Sequence, residues 1–336
     1  MFHTTGRKIL WLTLIFALLA GQAQAGSNLL FELTDPRGDD HGDGGLIYPS
    51  RTDFERGDLD LTSVKVRAVN GGTRFDAYFA KPIRVAEREA IDELGTTLDT
   101  VARHGFYTFN IDIYIDMDRK ARSGGVAMLP GRKAEIHPDH AWDRAIIVTP
   151  RPHAARASLE RVVIKTLANK MTYDDELLAE RNKEALRGQV PSDLDQRVFF
   201  PNQIRVRGNR ISFFVPDEFL GAKARPDWSY VIAVSGADLI QSLDLGASLG
   251  LAESTQANLM ILPISPGAWR NRFGGGRENG VLQPPLVDIL VPNGDQQEHV
   301  LSNFSSTQGR PATLVGVIPS EAQGAGSNSA VGAGRR

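Results

Sequence analysis

The sequence contains no cysteine, which removes disulfides as a source of stability and excludes zinc, thiol and iron-sulfur chemistry built on that residue. Excess positive charge is lacking too: 38 Lys and Arg face 40 Asp and Glu, for a formal net charge of −2. Without a broad basic surface there is little to neutralise phosphates, so nucleic acid is not an expected partner. No apolar run beyond residue 25 approaches the roughly 18 residues of a membrane-spanning helix. There is no His-Glu-x-x-His pattern, no Walker loop, and no Gly-x-Gly-x-x-Gly between a strand and a helix. Carboxylate pairs for sugar hydrolysis leave no local pattern. The expectation is a protein without catalysis.

What is present begins with an address. Arg7 and Lys8 precede an apolar run from Ile9 to Ala20, and Ala23 and Ala25 put small residues where a signal peptidase reads them. Residues 1–25 therefore read as a signal peptide, and a periplasmic or secreted protein is expected to begin at Gly26, with no transmembrane segment after cleavage. With 41% apolar and 23% charged residues the chain is of ordinary globular composition. The 33 glycines and 18 prolines favour a turn-rich, β-heavy protein.

Alternation with a period of two marks strands with one face in a core. It is clearest from Tyr107 to Asp116, where Tyr107, Phe109, Ile111, Ile113 and Ile115 share one face, and Asn110, Asp112 and Asp116 the other. Similar patterns cover Val64 to Ala68, Phe75 to Phe79 and Ile211 to Val215, with tight turns at Asn70-Gly71-Gly72 and Gly208-Asn209. Further strands are expected at 144–149, 161–166, 203–207, 228–234, 259–263 and 286–291. Helices are expected over 174–188 and, interrupted near Gly95, over 85–103. About ten strands and few helices give an all-β fold, a β-sandwich, in one domain over 26–304. From residue 305 onward large apolar residues become scarce, and 305–336 are expected to be a disordered tail.

Two acidic clusters stand out. Asp35, Asp39, Asp40 and Asp43 lie within nine residues, interleaved with glycines that let the backbone fold around a point. Such a loop can offer the six to eight oxygens that calcium takes, or serve as an Asp/Gly turn whose carboxylates bond their own backbone. Asp116 and Asp118 follow the clearest strand and are candidates for the same chemistry, against a solvated polar face. Calcium, in a structural role, is the one expected cofactor. Among the aromatics, Trp142, Trp228 and Trp269 are candidates for stacking on sugar rings, although tryptophan also packs readily in cores. Trp269 lies in a Gly-rich loop with Arg270, Asn271 and Arg272 and is the preferred exposed ring.

These residues resemble a family. Asp35-Pro-x-Gly-Asp-Asp-x-Gly-Asp-Gly, Tyr48-Pro49, Phe54, Gly57-Asp-Leu-Asp-Leu61, Pro130-Gly131 and Trp142 look like the C-terminal domain of glucodextranase. So do Val215-Pro216, Trp228-Ser-Tyr230, Trp269, Phe273-Gly-Gly-Gly276, Val287-Asp-Ile-Leu290, Gln297 and Leu301. The resemblance implies a β-sandwich of DOMON or carbohydrate-binding-module type, non-catalytic, whose partner is a polysaccharide or envelope glycan and whose companion is an envelope protein or a glycoside hydrolase. The charged stretch from about 171 to 195 looks like a helical insertion. Two other readings stay open: a structural envelope component that docks to protein without binding sugar, and a DOMON-type haem carrier using Met117 or Met128.

Overall fold

A computed structural model describes residues 28–91, 95–172, 176–239, 260–277, 280–292 and 296–322. The expected signal peptide and the last fourteen residues lie outside it. The described residues form a mostly β fold, with several sheets and, among them, no barrel. The first sheet runs in the order β1 (Leu29–Thr34), β2 (Leu61–Val69), β3 (Gly72–Phe79), β9 (Arg210–Pro216) and β8 (Ile204–Arg207), all antiparallel. In the second, the order is β11 (Asp288–Ile289), β10 (Ser229–Gly236), β4 (Phe109–Asp116), β6 (Arg144–Val148) and β7 (Val198–Phe199), with only β6 and β7 parallel. The β2–β3 turn closes at Val69 opposite Gly72, with Gly71 at φ 72°, a conformation that glycine adopts without strain.

The two sheets share one core. Val64, Val66, Phe75, Phe79, Ile211 and Phe213 of the first meet Phe109, Ile111, Ile113, Ile115, Ile232 and Val234 of the second. Rings bridge the layers at 4.6 Å between Phe79 and Phe109 and at 5.0 Å between Phe31 and Tyr230. The period of two read from the sequence is thus the packing of one sheet face on another.

The opposite face of the second sheet was expected to be solvated, and here the structure corrects the reading. Every residue of β4 is buried. Helix α1 (Pro152–Thr172) and a small parallel sheet of β5 (Ala134–Ile136) and β12 (Ala312–Leu314) cover that face, and Leu159, Ile136 and Leu314 pack on Tyr114, Ala145 and Val231. Asp112, facing this second core, is matched by a buried Arg132 at 2.5 and 2.8 Å. Met128 is buried in the same cluster and Met117 packs against the main core, so neither stands free as a haem ligand.

Four further expectations change. The strand expected at 161–166 is helical, inside α1. Its Val162-Val163-Ile164 run has local strand propensity, yet the stretch from Pro152 holds no interior glycine or proline, and burying Leu159, Ile164 and Ala168 outweighs that propensity. Helix α2 (Glu176–Arg197) covers 176–188 of the expected helix, whose first two residues lie outside those described, and continues through Pro191. Of the helix expected over 85–103, the described residues show a single turn at Leu98–Val101, and residues 92–94 lie outside them. Nor does order stop at 304. Leu314, Val317 and Ile318 are buried, and the described chain continues to residue 322.

The Asp112–Arg132 pair yields a prediction. Arg132→Met leaves Asp112 buried without its partner and should cost about 3–5 kcal/mol of unfolding free energy by denaturant titration. Replacing both, Arg132→Met with Asp112→Leu, should recover most of that loss.

Candidate functional site

The loop after β1 draws its aspartates to one end of the two sheets and gives each a different task. Asp40 is buried and accepts from the Tyr48 hydroxyl and, at 2.5 Å, from the Gly57 N–H. Asp43 accepts from Gln283 Nε2 at 3.1 Å and pairs with Arg277 at 3.0 Å. Asp60 accepts from the Gly38 N–H at 2.7 Å. The four-aspartate ligand set expected from the sequence is therefore divided: Asp40 and Asp43 hold the loop itself, whereas Asp35 and Asp39 turn inward to meet Asp288 of β11.

Oxygens of Asp35, Asp39 and Asp288 lie within 4.8 Å of one another. Both carboxylate oxygens of Asp35, and one each of Asp39, Asp288 and the neighbouring Asp60, are buried without a hydrogen-bond partner. The other oxygen of Asp288 accepts from the Leu61 N–H at 2.6 Å, which carries β11 of the second sheet across to β2 of the first. Gln297, opening helix α3 (Gln297–Ser302), ties the same loop to β11: it accepts from the Ile289 N–H at 2.7 Å and donates to the carbonyls of Asp39, Gly42 and Val287. Burial, then repulsion from Asp39, pushes the Asp35 carboxyl up to about 8. Asp288 is raised well above its ordinary range by burial and by Asp35 and Asp39. Asp39 and Asp60 are raised as well, both chiefly by burial. Among the described residues no Lys, Arg or His forms an ion pair with Asp35, Asp39 or Asp288.

Such an all-oxygen donor set, buried and lacking a counter-charge, suits a hard divalent cation such as calcium. Asp288 was absent from the expected acidic cluster, although its signal was legible: a single carboxylate inside the apolar run Val287 to Leu290 must be buried with it.

The second region is the hairpin of Trp269. Its N–H donates to the Arg272 carbonyl at 3.1 Å, leaving Arg270 and Asn271 at the tip. Trp269 is 65% exposed, the one tryptophan among the candidates with an open ring. Trp142 and Trp228 are only 6% and 4% exposed. Trp228 packs in the core between the sheets; Trp142 meets Tyr114 edge-on and is covered by the Arg197 guanidinium at 4.6 Å. Both are removed from the sugar-stacking set for want of a free face.

Arg270 lines a cleft of about 1170 Å³ whose walls also carry Arg51, Asp53, Asp58, Arg84 and Tyr107. Arg51 donates to both oxygens of Asp53, at 2.8 and 2.6 Å, and the Tyr107 hydroxyl donates to Asp53 at 2.8 Å. Arg84 reaches Asp58 at 3.2 Å, while the other oxygen of Asp58 is buried and unpartnered. The cationic and acidic side chains of this cleft balance in number, so its field does not favour either sign of ligand.

Hairpin and carboxylate loop are joined. Ile47 and Gly274 exchange backbone hydrogen bonds at 3.1 and 2.8 Å. At Gly275 the φ is 82°, and a Cβ would stand 1.9 Å from the Gly45 carbonyl oxygen, so only glycine fits this crossing. Beneath it Phe273 packs with Tyr48 and Phe54 at 5.5 and 5.7 Å.

The fold is β-rich. Over residues 30–316 the chain matches the family described as the C-terminal, SLH-like binding module of glucodextranase, and it belongs to that family. No match was found among curated proteins. The family is a binding module and not a catalytic domain, and membership suggests a carbohydrate-binding role. The spacing Gly-x-Ser-x-Gly does occur once, from Gly246 to Gly250, in a stretch outside the described residues. Among the described residues no helix is long and apolar enough to cross a membrane.

The carboxylates give a pH signature. Since Asp35 titrates near 8 in the folded, metal-free chain and at its ordinary 3.8 when unfolded, the fold holds a proton that the unfolded chain has lost. Its contribution is complete below about pH 4 and is lost as pH rises towards about 8. Thermal melts of chelated protein should therefore fall in Tm across that interval, and added calcium should remove most of the fall. Coincident profiles with and without calcium would contradict the assignment.

Proposed function

We propose that this protein is an exported, non-catalytic carbohydrate-binding module of the β-sandwich, DOMON-like type, which binds a neutral polysaccharide or envelope glycan. Calcium held by Asp35, Asp39 and Asp288 clamps the end of the sandwich on which the binding hairpin rests. The observation that carries the reading is the open ring of Trp269 beside a polar, charge-balanced cleft, in a chain whose family is a binding module. An exposed aromatic face suits the apolar C–H side of a sugar ring. The Asp53–Arg51–Tyr107 network offers oriented polar groups for hydroxyls, the usual make-up of a small-ligand site. Export rests on the order of charged, apolar and small residues over 1–25.

A glycan array probed with parent protein and Trp269→Ala tests this reading. Truncating an aromatic anchor costs roughly 2 kcal/mol or more, which is about 30-fold in affinity. Being exposed, the residue should leave the melting curve almost unchanged. If the variant binds every tested glycan as the parent does, the hairpin is not the site; release of reducing sugar that tracks the purified protein would remove the non-catalytic reading.

A further inference from the structure

Beyond the clamp and the glycan surface, a second group of carboxylates meets at the far end of β4. Asp116 closes that strand, Asp118 lies two residues on, and Asp143 precedes β6; oxygens of the three lie within 4.8 Å of one another. Each is already oriented through one oxygen. Asp116 Oδ1 accepts from the Arg119 N–H at 2.7 Å, Asp118 Oδ1 accepts from the Lys120 N–H at 2.9 Å and the Ser123 hydroxyl at 2.8 Å, and Asp143 Oδ2 accepts from the Met117 N–H at 2.8 Å. Three oxygens are left over, one per residue. That of Asp116 is decisive: the residue is 1% exposed, and its Oδ2 is buried with no partner. A buried oxygen of this kind costs free energy unless something satisfies it.

The neighbouring cations do not fill the role. Arg119 sends its guanidinium to Glu321 at 3.1 Å, and among the described residues no side-chain cation forms an ion pair with Asp116, Asp118 or Asp143. Near His140, Nδ1 is engaged with the Ser229 hydroxyl at 2.8 Å. What remains is a pocket of oxygens from two chain segments, one donor buried and one exposed, so that an ion can enter from solvent.

We infer that Asp116, Asp118 and Asp143 form a second divalent-cation site, suited to calcium and separate from Asp35, Asp39 and Asp288. The donors are all hard oxygens, and three carboxylates with water completing the shell match calcium rather than zinc or copper. The ion bridges the end of β4 to the start of β6. Those two strands already meet there through the Asp143 N–H and the Ile115 carbonyl at 2.8 Å.

Calorimetric titration of the full, previously chelated chain with calcium should resolve two classes of site. Asp118→Asn keeps an oxygen for the Lys120 N–H and the Ser123 hydroxyl and sits on an exposed residue, so it should fold. It should weaken one class about tenfold or more, because affinity follows ligand charge, and leave the other class untouched. Asp39→Asn should do the reverse. A parent with a single class that Asp39→Asn abolishes, a parent that binds no calcium, or an Asp118→Asn variant with both affinities unchanged would each overturn the second site.

Discussion

Three carboxylates that face one another without a counter-charge, where the first sheet meets the edge of the second, set the terms for this structure. Asp35 leaves β1, Asp288 belongs to β11, and Asp39 is brought between them by the loop that Gln297 holds. Burying even one such group ionised and unpaired costs several kcal/mol. The fold must therefore supply either protons or a cation at this point. Under the proposed calcium clamp, the ion would have to displace the proton that Asp35 keeps up to about pH 8, so its affinity should rise with pH.

From that join the order passes outward. Asp40 fixes Tyr48, whose ring packs on Phe273, and Asp43 fixes Arg277, so the two aspartates that do not join Asp35, Asp39 and Asp288 bracket the hairpin carrying Trp269. The Ile47–Gly274 exchange and the Gly45–Gly275 crossing complete the connection. An aromatic platform presented on a hairpin is useful only if the hairpin is held. Here the holding is electrostatic at one end and aromatic beneath.

Much of this was legible in the sequence, for reasons of periodicity. A strand buried on one face writes a period of two, and β2, β3, β4 and β9 all show it, as do the turns at Gly71 and Gly208. What the pattern hid was the second layer on β4. Asp112 and Asp116 look like a solvated face because polar residues alternate there, and no local feature announces that Arg132, twenty residues on, returns to neutralise one of them. Helix α1 was masked by its β-branched run, which only the contacts of Leu159 and Ala168 override. The acidic loop was recognisable as a possible cation loop, but the division of labour among its aspartates depends on Asp288 and Gln297, some 250 residues away in the chain. Trp142 and Trp228 could not be told from Trp269 by type alone; the distinguishing signs were the Gly-rich loop around Trp269 and the strands expected at 144–149 and 228–234 beside the other two.

The cation proposed at the sheet junction is tested most directly by a crystal structure grown in calcium, read through its anomalous difference density. The predicted result is a peak bounded by Asp35, Asp39 and Asp288 with oxygens at about 2.3–2.6 Å. A junction with no peak, in which Asp35 and Asp288 instead share a proton in a direct carboxyl-carboxylate hydrogen bond at a pH where calcium should compete, would contradict it.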